Sequence, residues 1–378
     1  DRVENMTYMD NPLFALLPKM EAFGGRNLPV PTIYGDPQGR SKTFANAQAR
    51  GALTSTLITD FILTRVKDYS IATIDNETLE ASKGDANAFM DAATTEIDGA
   101  IHALTRSLAI GIYGTTAAYL GQVLAEPAET STTFTFTSKV VSNITNYEVG
   151  QKVVIYSAAS GGTQRNSDGS VTAWPVAAVN RTTGVVTLTG TYSASGTIAA
   201  NDYVFVEGDR GLGISGLESW LPASAPDSTL FFGVDRSADV TRLGGQRLDA
   251  SALPIEEALI EADAVVAREG HPLDHFFMSH SKFADLKKAL GTKVQYVDLA
   301  ANAQVSFRGV MVDGTRGPIK VVPDQNCQAD RIFGLKLAFW KFYSLGKAVR
   351  VIDTDGLQML RMASSDGVEC RYGFYGQL

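Results

Sequence analysis

The feature that most narrows the fold is a stripe of apolar residues at helical spacing. Phe89, Ala93, Ile97, Ile101, Leu104 and Leu108 recur every three or four positions, which lines them along one helix face. The other side carries Asp91, Thr94, Asp98, His102 and Arg106. Ser82 is a candidate N-cap, Asp85 lies in the first turn where a carboxylate favours the helix dipole, and Gly111 and Gly114 offer a stop. The helix expected over 82–111 measures about 45 Å at 1.5 Å per residue. That is long for an ordinary globular domain, whose helices average about a dozen residues. At 378 residues the chain suffices for two or three compact domains or for one extended subunit with excursions.

What precedes this helix has a different character. Residues 1–35 read as an irregular arm, because Asn11-Pro12, Pro18, Gly24-Gly25, Pro29 and Pro31 interrupt every periodicity. The arm nevertheless carries Leu13, Phe14, Leu16, Leu17, Met20 and Phe23. Apolar groups without regular structure of their own must be buried against the body of the subunit or against a neighbour. Residues 36–76 read as a projecting hairpin whose strands are 57–66 and 68–74, rich in β-branched and aromatic residues.

Composition shifts sharply after Glu126-Pro127. Between Thr130 and Val206 the chain is dominated by Thr, Ser, Val and Gly, with short strands expected at 133–137, 152–156, 176–179, 184–189 and 202–206. Ser167-Asp168-Gly169 and Thr183-Gly184 supply turns. Residues 127–208 are therefore expected to form a small all-β module, a barrel or a sandwich, inserted in an α+β chain. After a loop-rich stretch at 209–250, helices are expected at 255–269 and 282–290, the first with Pro254 at its start and Gly270 at its end. Strands are expected at 274–278, 305–312, 319–322, 336–342 and 357–362.

Charge and cysteine usage exclude several functions. A net charge of −8 lacks the basic footprint of a sequence-reading nucleic-acid binder, yet suits a wall that repels the phosphate it encloses. Cys327 and Cys370 are far apart and outside any CxxC spacing, which reads as two reduced thiols. No apolar run approaches the ~18 residues of a membrane helix, and no signal peptide is visible.

The motifs that suggest chemistry do not hold together. Gly211, Gly213 and Gly216 match GxGxxG after a strand, but a dinucleotide site needs a long helix at the third glycine, and Pro222 follows almost at once. His271, His275 and His280 with Asp274 contain metal-ligand types. Gly270 and Pro272 disfavour the helix that would join the first two, and a strand would send the last two to opposite faces. Ser279 and Ser281 flank His280 without a nucleophile elbow. Asp353-Thr354-Asp355-Gly356 lacks the downstream glutamate of a calcium loop, and Glu256-Glu257 suit a helix start. No catalytic, cofactor or metal residues are assigned.

The order of parts resembles the major capsid proteins of tailed bacteriophages with the HK-ninety-seven fold. Their N-terminal arm, E-loop, P-domain with its spine helix, and A-domain would correspond here to 1–35, 36–76, 77–126 with a connector at 209–250, and 251–335, with closing strands at 336–378. Local phrases carry the same likeness: Asn11-Pro12-Leu13-Phe14 with Gly24-Gly25, Ile74-Asp75-Asn76-Glu77-Thr78-Leu79, and Gly114-Thr115-Thr116-Ala117-Ala118-Tyr119-Leu120-Gly121. Further phrases are Gly216-Leu217-Glu218-Ser219-Trp220-Leu221, Gly233-Val234-Asp235-Arg236 with Arg242-Leu243-Gly244-Gly245, and Gly317-Pro318-Ile319-Lys320-Val321-Val322-Pro323-Asp324. The resemblance covers nearly the whole chain except 127–208.

The resemblance implies a non-enzymatic subunit, without cofactors, that self-assembles as hexamers and pentamers into an icosahedral virion shell. Such a shell encloses double-stranded DNA and meets portal, scaffold or decoration proteins, with no membrane. Some members cross-link an E-loop lysine to a neighbour's asparagine; Lys42 is the lysine near the expected tip, and no partner asparagine aligns. The assembly-interface candidates are Leu13, Phe14, Leu17 and Phe23 of the arm and Arg40, Lys42, Arg50, Arg65 and Lys67 of the hairpin. Two rival readings stay open: an encapsulin nanocompartment, which shares this fold, and a carbohydrate-binding or adhesion protein built on the β module.

Overall fold

A computed structural model describes residues 7–8, 10–77, 86–126, 128–129, 133–165, 173–190, 198–291, 296–300, 306–353, 356–362 and 365–378. The architecture is α+β. Helix α1 (Pro12–Leu16) opens with proline at its first position, where the missing N–H is no loss. Leu13, Phe14 and Leu17 drop into the main core, with Phe14 edge-on to Phe342 at 5.4 Å. Of the two burial sites the arm left open, these three side chains take the subunit's own body. A short strand β1 (Lys19–Met20) follows.

The expected pairing of 57–66 with 68–74 does not form; a strand of the arm takes its place. Strand β2 (Asn27–Gly35) runs antiparallel to β3 (Leu57–Thr64), with Asn27 opposite Thr64 and Gly35 opposite Leu57. Helix α2 (Phe44–Gly51) sits between them. The expected second strand is instead β4 (Val66–Asp75), which leaves the hairpin and enters the body. The prolines explain the misreading. Ile62 sends its N–H away from β2, to the Phe232 carbonyl at 2.9 Å. The Pro29–Ile62 pair, and by alternation Pro31–Asp60, are therefore the non-hydrogen-bonded pairs of the ladder. Both missing N–H groups fall on the open edge, where proline costs no ladder bond.

Helix α3 (Ala86–Tyr113) is the expected long helix; Ser82 and Asp85 lie outside the described residues. Ile101, Leu104 and Leu108 of its stripe, with Ile112, are buried. It ends at Tyr113 rather than Gly111, with the Gly114 N–H closing on the Ile110 carbonyl at 3.0 Å.

The inserted module is a barrel. Its strands are β5 (Tyr119–Gln122), β6 (Ala128–Glu129), β7 (Thr133–Thr137), β8 (Lys152–Tyr156), β9 (Trp174–Asn180), β10 (Val185–Thr189) and β11 (Tyr203–Val206). They pair in the order β5-β11-β8-β9-β10-β7-β6. The sheet then closes on itself through a Val123–Ser138 bridge and the bonds Leu124 N–H to Thr137 O and Lys139 N–H to Gln122 O, each 2.8 Å. The Thr133–Thr137 alternation points Phe134 and Phe136 inward, beside the fully buried Trp174, edge-on to Phe134 at 5.4 Å. Because β5 is a stave of this barrel, the module begins at Tyr119, ahead of the composition change at Pro127. The Ser167-Asp168-Gly169 turn lies outside the described residues.

The connector carries α4 (Leu217–Trp220) and a small ribbon of β12 (Leu230–Phe231) and β13 (Val234–Asp235). Next come α5 (Ile255–Arg268), β14 (His275–Met278), α6 (His280–Leu290), β15 (Tyr296–Ala300), β16 (Ser306–Gly314), β17 (Gly317–Pro323) and β18 (Ile332–Leu335). These form a lobe whose sheet, ordered β15-β16-β17-β14-β18, packs Phe276, Met278, Val310 and Val321 against Leu259 of α5 and Leu286 of α6. Ser279 caps α6, accepting from the Lys282 N–H.

The chain closes with β19 (Phe342–Ser344), β20 (Arg350–Val351), β21 (Leu360–Arg361) and β22 (Gly367–Gln377). The strand expected at 336–342 is instead a 3-10 turn, Leu337–Phe339, followed by β19, and the one expected at 357–362 shrinks to β21. The strand that organises the body is β22. It pairs with β4 from Gly367–Asp75 to Gly376–Val66, and also with β19, β20 and β21. Its glycines disguise it: a Cβ on Gly373 would lie 3.0 Å from the Asp68 carbonyl, and one on Gly376 would lie 2.7 Å from the Phe342 ring. Helix α3 packs across β4 and β22.

Candidate functional site

The β2–β3 ribbon has two faces with different fates. On the inner face Val30 and Phe61 meet the connector, where Phe61 lies edge-on to Trp220 at 5.2 Å and near Val234 and Leu243. Phe232, at φ +49°, turns its carbonyl to the Ile62 N–H, and the Arg242 guanidinium donates to the Tyr34 carbonyl at 2.9 Å. The root of the ribbon is therefore clamped.

Its outer face is open. The register places Pro29, Pro31 and Ile33 opposite Ile62, Asp60 and Ile58 on one side. Ile33, Ile58 and Ile62 are 64%, 58% and 44% exposed. At the tip no residue of α2 is buried; Phe44 is 82% exposed and Leu53 87%. Large apolar groups this exposed and this contiguous mark an interaction surface. A two-stranded ribbon is marginally stable in water alone, so one covered face secures the root while the other stays open.

The sequence candidates distribute as follows. Arg40, Lys42 and Arg50 are exposed at the tip, where the Arg50 guanidinium donates to the Arg40 carbonyl at 3.4 Å. Arg65 and Lys67 lie at the root. Arg65 donates to the Phe23 carbonyl at 2.8 Å and covers the Phe23 ring. Leu13, Phe14, Leu17 and Phe23 are each at most 2% exposed within one subunit. The single chain already removes these four side chains from solvent. The surface groups that sequence reasoning missed are Ile33, Ile58, Ile62, Phe44 and Leu53. For Ile58 and Ile62 the signal was present in Leu57-Ile58-Thr59-Asp60-Phe61-Ile62-Leu63, apolar on both faces of one strand.

The chemical motifs resolve into structural roles. Gly216 takes its place because a Cβ there would stand 2.3 Å from the carbonyl oxygens of Gly111 and Ile112, at the end of α3. The short α4 follows it rather than a long helix. His275 shares a 2.8 Å hydrogen bond with Asp274, which also accepts from the Leu337 N–H, while His271 and His280 are exposed. Among the described residues no three His, Cys, Asp or Glu side chains are grouped to hold a metal ion, and no helix is long and apolar enough to cross a membrane. Cys327 and Cys370 are free thiols, buried, with pKa values pushed up by burial.

Two polar junctions tie the body together. The Asp324 carboxylate accepts from Leu13 N–H (3.3 Å), Tyr113 O–H (3.0 Å), Asn326 N–H (2.9 Å) and Asn326 Nδ2 (3.3 Å), joining α1, α3 and the end of β17. Burial raises its pKa against those four donors. Glu218 of α4 accepts from Tyr119 of the barrel (2.7 Å) and Gln328 (3.0 Å), and pairs with Arg331 at 3.0 Å. Burial is the first cause of the raised Tyr119 pKa, followed by the Glu218 charge.

No family model matches the chain, and none of the curated proteins does. Among solved structures, the chain is similar to a protein of the cyanophage A-1(L) capsid asymmetric unit. The match has 13% sequence identity and a TM-score of 0.48, over 98% of this chain and 89% of that one.

Proposed function

We propose that the chain is a major capsid protein of a tailed phage, a non-enzymatic subunit of the HK-ninety-seven kind that assembles as hexamers and pentamers around double-stranded DNA. The observation that carries this reading is the ribbon: a 27–64 projection clamped at its root, with an open apolar face and an apolar tip. Laid over a neighbour, such a projection adds buried area at a subunit's edge without thickening the wall. The arm would then belong to the body and the ribbon would be the contact element. The barrel at 119–208 stands as a separate core, so decoration or wider contact can be added there without disturbing the rest.

Negative-stain microscopy of the purified full chain tests the reading. Closed shells large enough for a phage genome support it. Small cages filled with protein cargo would assign the chain to the nanocompartments instead. A monodisperse monomer at high concentration, with glycan binding through the barrel, would refute both.

A further inference from the structure

At the ribbon root the chain leaves a hollow of about 680 Å³, lined by Arg26, Thr64, Arg65, Lys67, Leu345 and Tyr375 among others. We propose that this hollow is an anion site, and that its ligand is an acidic segment of a second copy of this chain; this rests on the shell reading above. Three cationic residues, Arg26, Arg65 and Lys67, line the cavity, and among the described residues no carboxylate does. Asp68, next in sequence to Lys67, is engaged elsewhere, accepting from the Ser107 hydroxyl at 2.5 Å. Arg65 has one N–H fixed on the Phe23 carbonyl, which orients its planar fork. The Arg26 and Lys67 side chains make no hydrogen bond or ion pair among the described residues. Like charges gathered in one concavity focus potential for an anion.

The charge distribution selects the ligand. Residues 26–67 hold six basic and two acidic side chains, a balance of +4 in a chain of −8, which leaves −12 for the rest. A surface that acidic repels nucleic-acid phosphate, whereas a second copy brings complementary carboxylates to the basic ribbon. The hollow also continues the open face of β2 and β3 at its root, so one neighbour can cover both.

The test uses the full chain. Carbodiimide, which joins amines to carboxylates in direct contact, is applied to shells assembled from an equal mixture of ¹⁴N and ¹⁵N chains. Lys67 is expected in mixed-isotope peptides with an Asp or Glu. In parallel, Arg26→Glu with Lys67→Glu is expected to raise the concentration for half-assembly by about tenfold or more, since reversal turns each attractive rim contact into a repulsive one. Arg26→Gln with Lys67→Gln gives a smaller rise, and unchanged urea unfolding shows that both variants fold. Assembly of the reversed variant at the wild-type concentration, or Lys67 cross-links confined to single-isotope pairs, overturns the proposal while leaving the shell reading intact. Normal shells that fail to retain DNA would reassign the hollow to phosphate. Absence of any assembly by the wild-type chain would sink the shell reading, and this site with it.

Discussion

Replacing Gly216 by alanine asks whether the Gly211-Leu212-Gly213-Ile214-Ser215-Gly216 run is there for packing or for a ligand. The added Cβ would stand 2.3 Å from two backbone carbonyl oxygens at the end of α3. Relief requires the connector to retreat by about an ångström, since ordinary contact begins near 3.4 Å. Ile214 and Leu217, 3% and 0% exposed, retreat with it. Fully burying such a side chain contributes about 1.5–3 kcal/mol, and overpacking costs about 1–3 kcal/mol, so a loss on the order of 3–5 kcal/mol follows. Gly213→Ala meets the Ala118 Cβ at 2.8 Å and the Thr115 carbonyl at 3.0 Å, at a half-buried position, and should lose about 1–3 kcal/mol. Gly211→Ala meets nothing within 4 Å but sits at φ +76°, a conformation costing an alanine about 1–2 kcal/mol. Urea unfolding of the three variants, compared at constant m-value, reads the order directly. If Gly216→Ala proves the mildest of the three, the packing account is wrong.

Trp174→Ala should destabilise the barrel by about 3–5 kcal/mol, the range for deleting a buried aromatic ring, detected as an earlier thermal transition. Phe44→Ser with Leu53→Ser should leave unfolding within about 0.5 kcal/mol of wild type, because both side chains are solvated in one subunit, while light scattering reports lost assembly. Asp324 has a folded-state pKa raised above 3.8 by burial. Its contribution is therefore fully present below pH 3.8 and is lost as pH rises through the folded value. Asp324→Asn removes that titration, so its urea midpoint relative to wild type should improve from pH 4 to pH 7; a constant difference would show that burial does not govern this carboxylate.

How much of this was legible follows from which residues carried a local signal. The α3 stripe was readable because Ile97, Ile101, Leu104 and Leu108 share one helix face, and the barrel strands because Thr133–Thr137 alternates strictly. Strand β2 was hidden by Pro29 and Pro31, whose tolerance depends on which edge of the ribbon faces solvent. Strand β22 was hidden by Gly367, Gly373 and Gly376, whose need arises from Asp75, Asp68 and Phe342, far away in the chain. The burial of Leu13, Phe14 and Leu17 was open in sequence because an apolar arm fits its own body or a neighbour equally well. The run 57–63 hinted at a second apolar face, but only the register showed that Ile33 joins Ile58 and Ile62 on it.

The treatment of strand edges argues for what the ribbon is for. The barrel has closed its seven-stranded sheet through Val123 and Ser138, which protects the edges there. Along β2 the outward N–H groups at positions 29 and 31 have been deleted by proline, and on β3 the outward N–H of Ile62 is taken by Phe232. Edge-to-edge pairing, the usual hazard of a bare ribbon, is thus disfavoured at the root. Yet the same ribbon leaves its outer side chains apolar and open. A chain that suppresses backbone pairing while keeping a face of Ile33, Ile58 and Ile62 is suited to contact through side chains, at a fixed angle set by the clamp. That combination suits a repeating contact between copies better than a chance aggregation surface, because it specifies which face meets the neighbour.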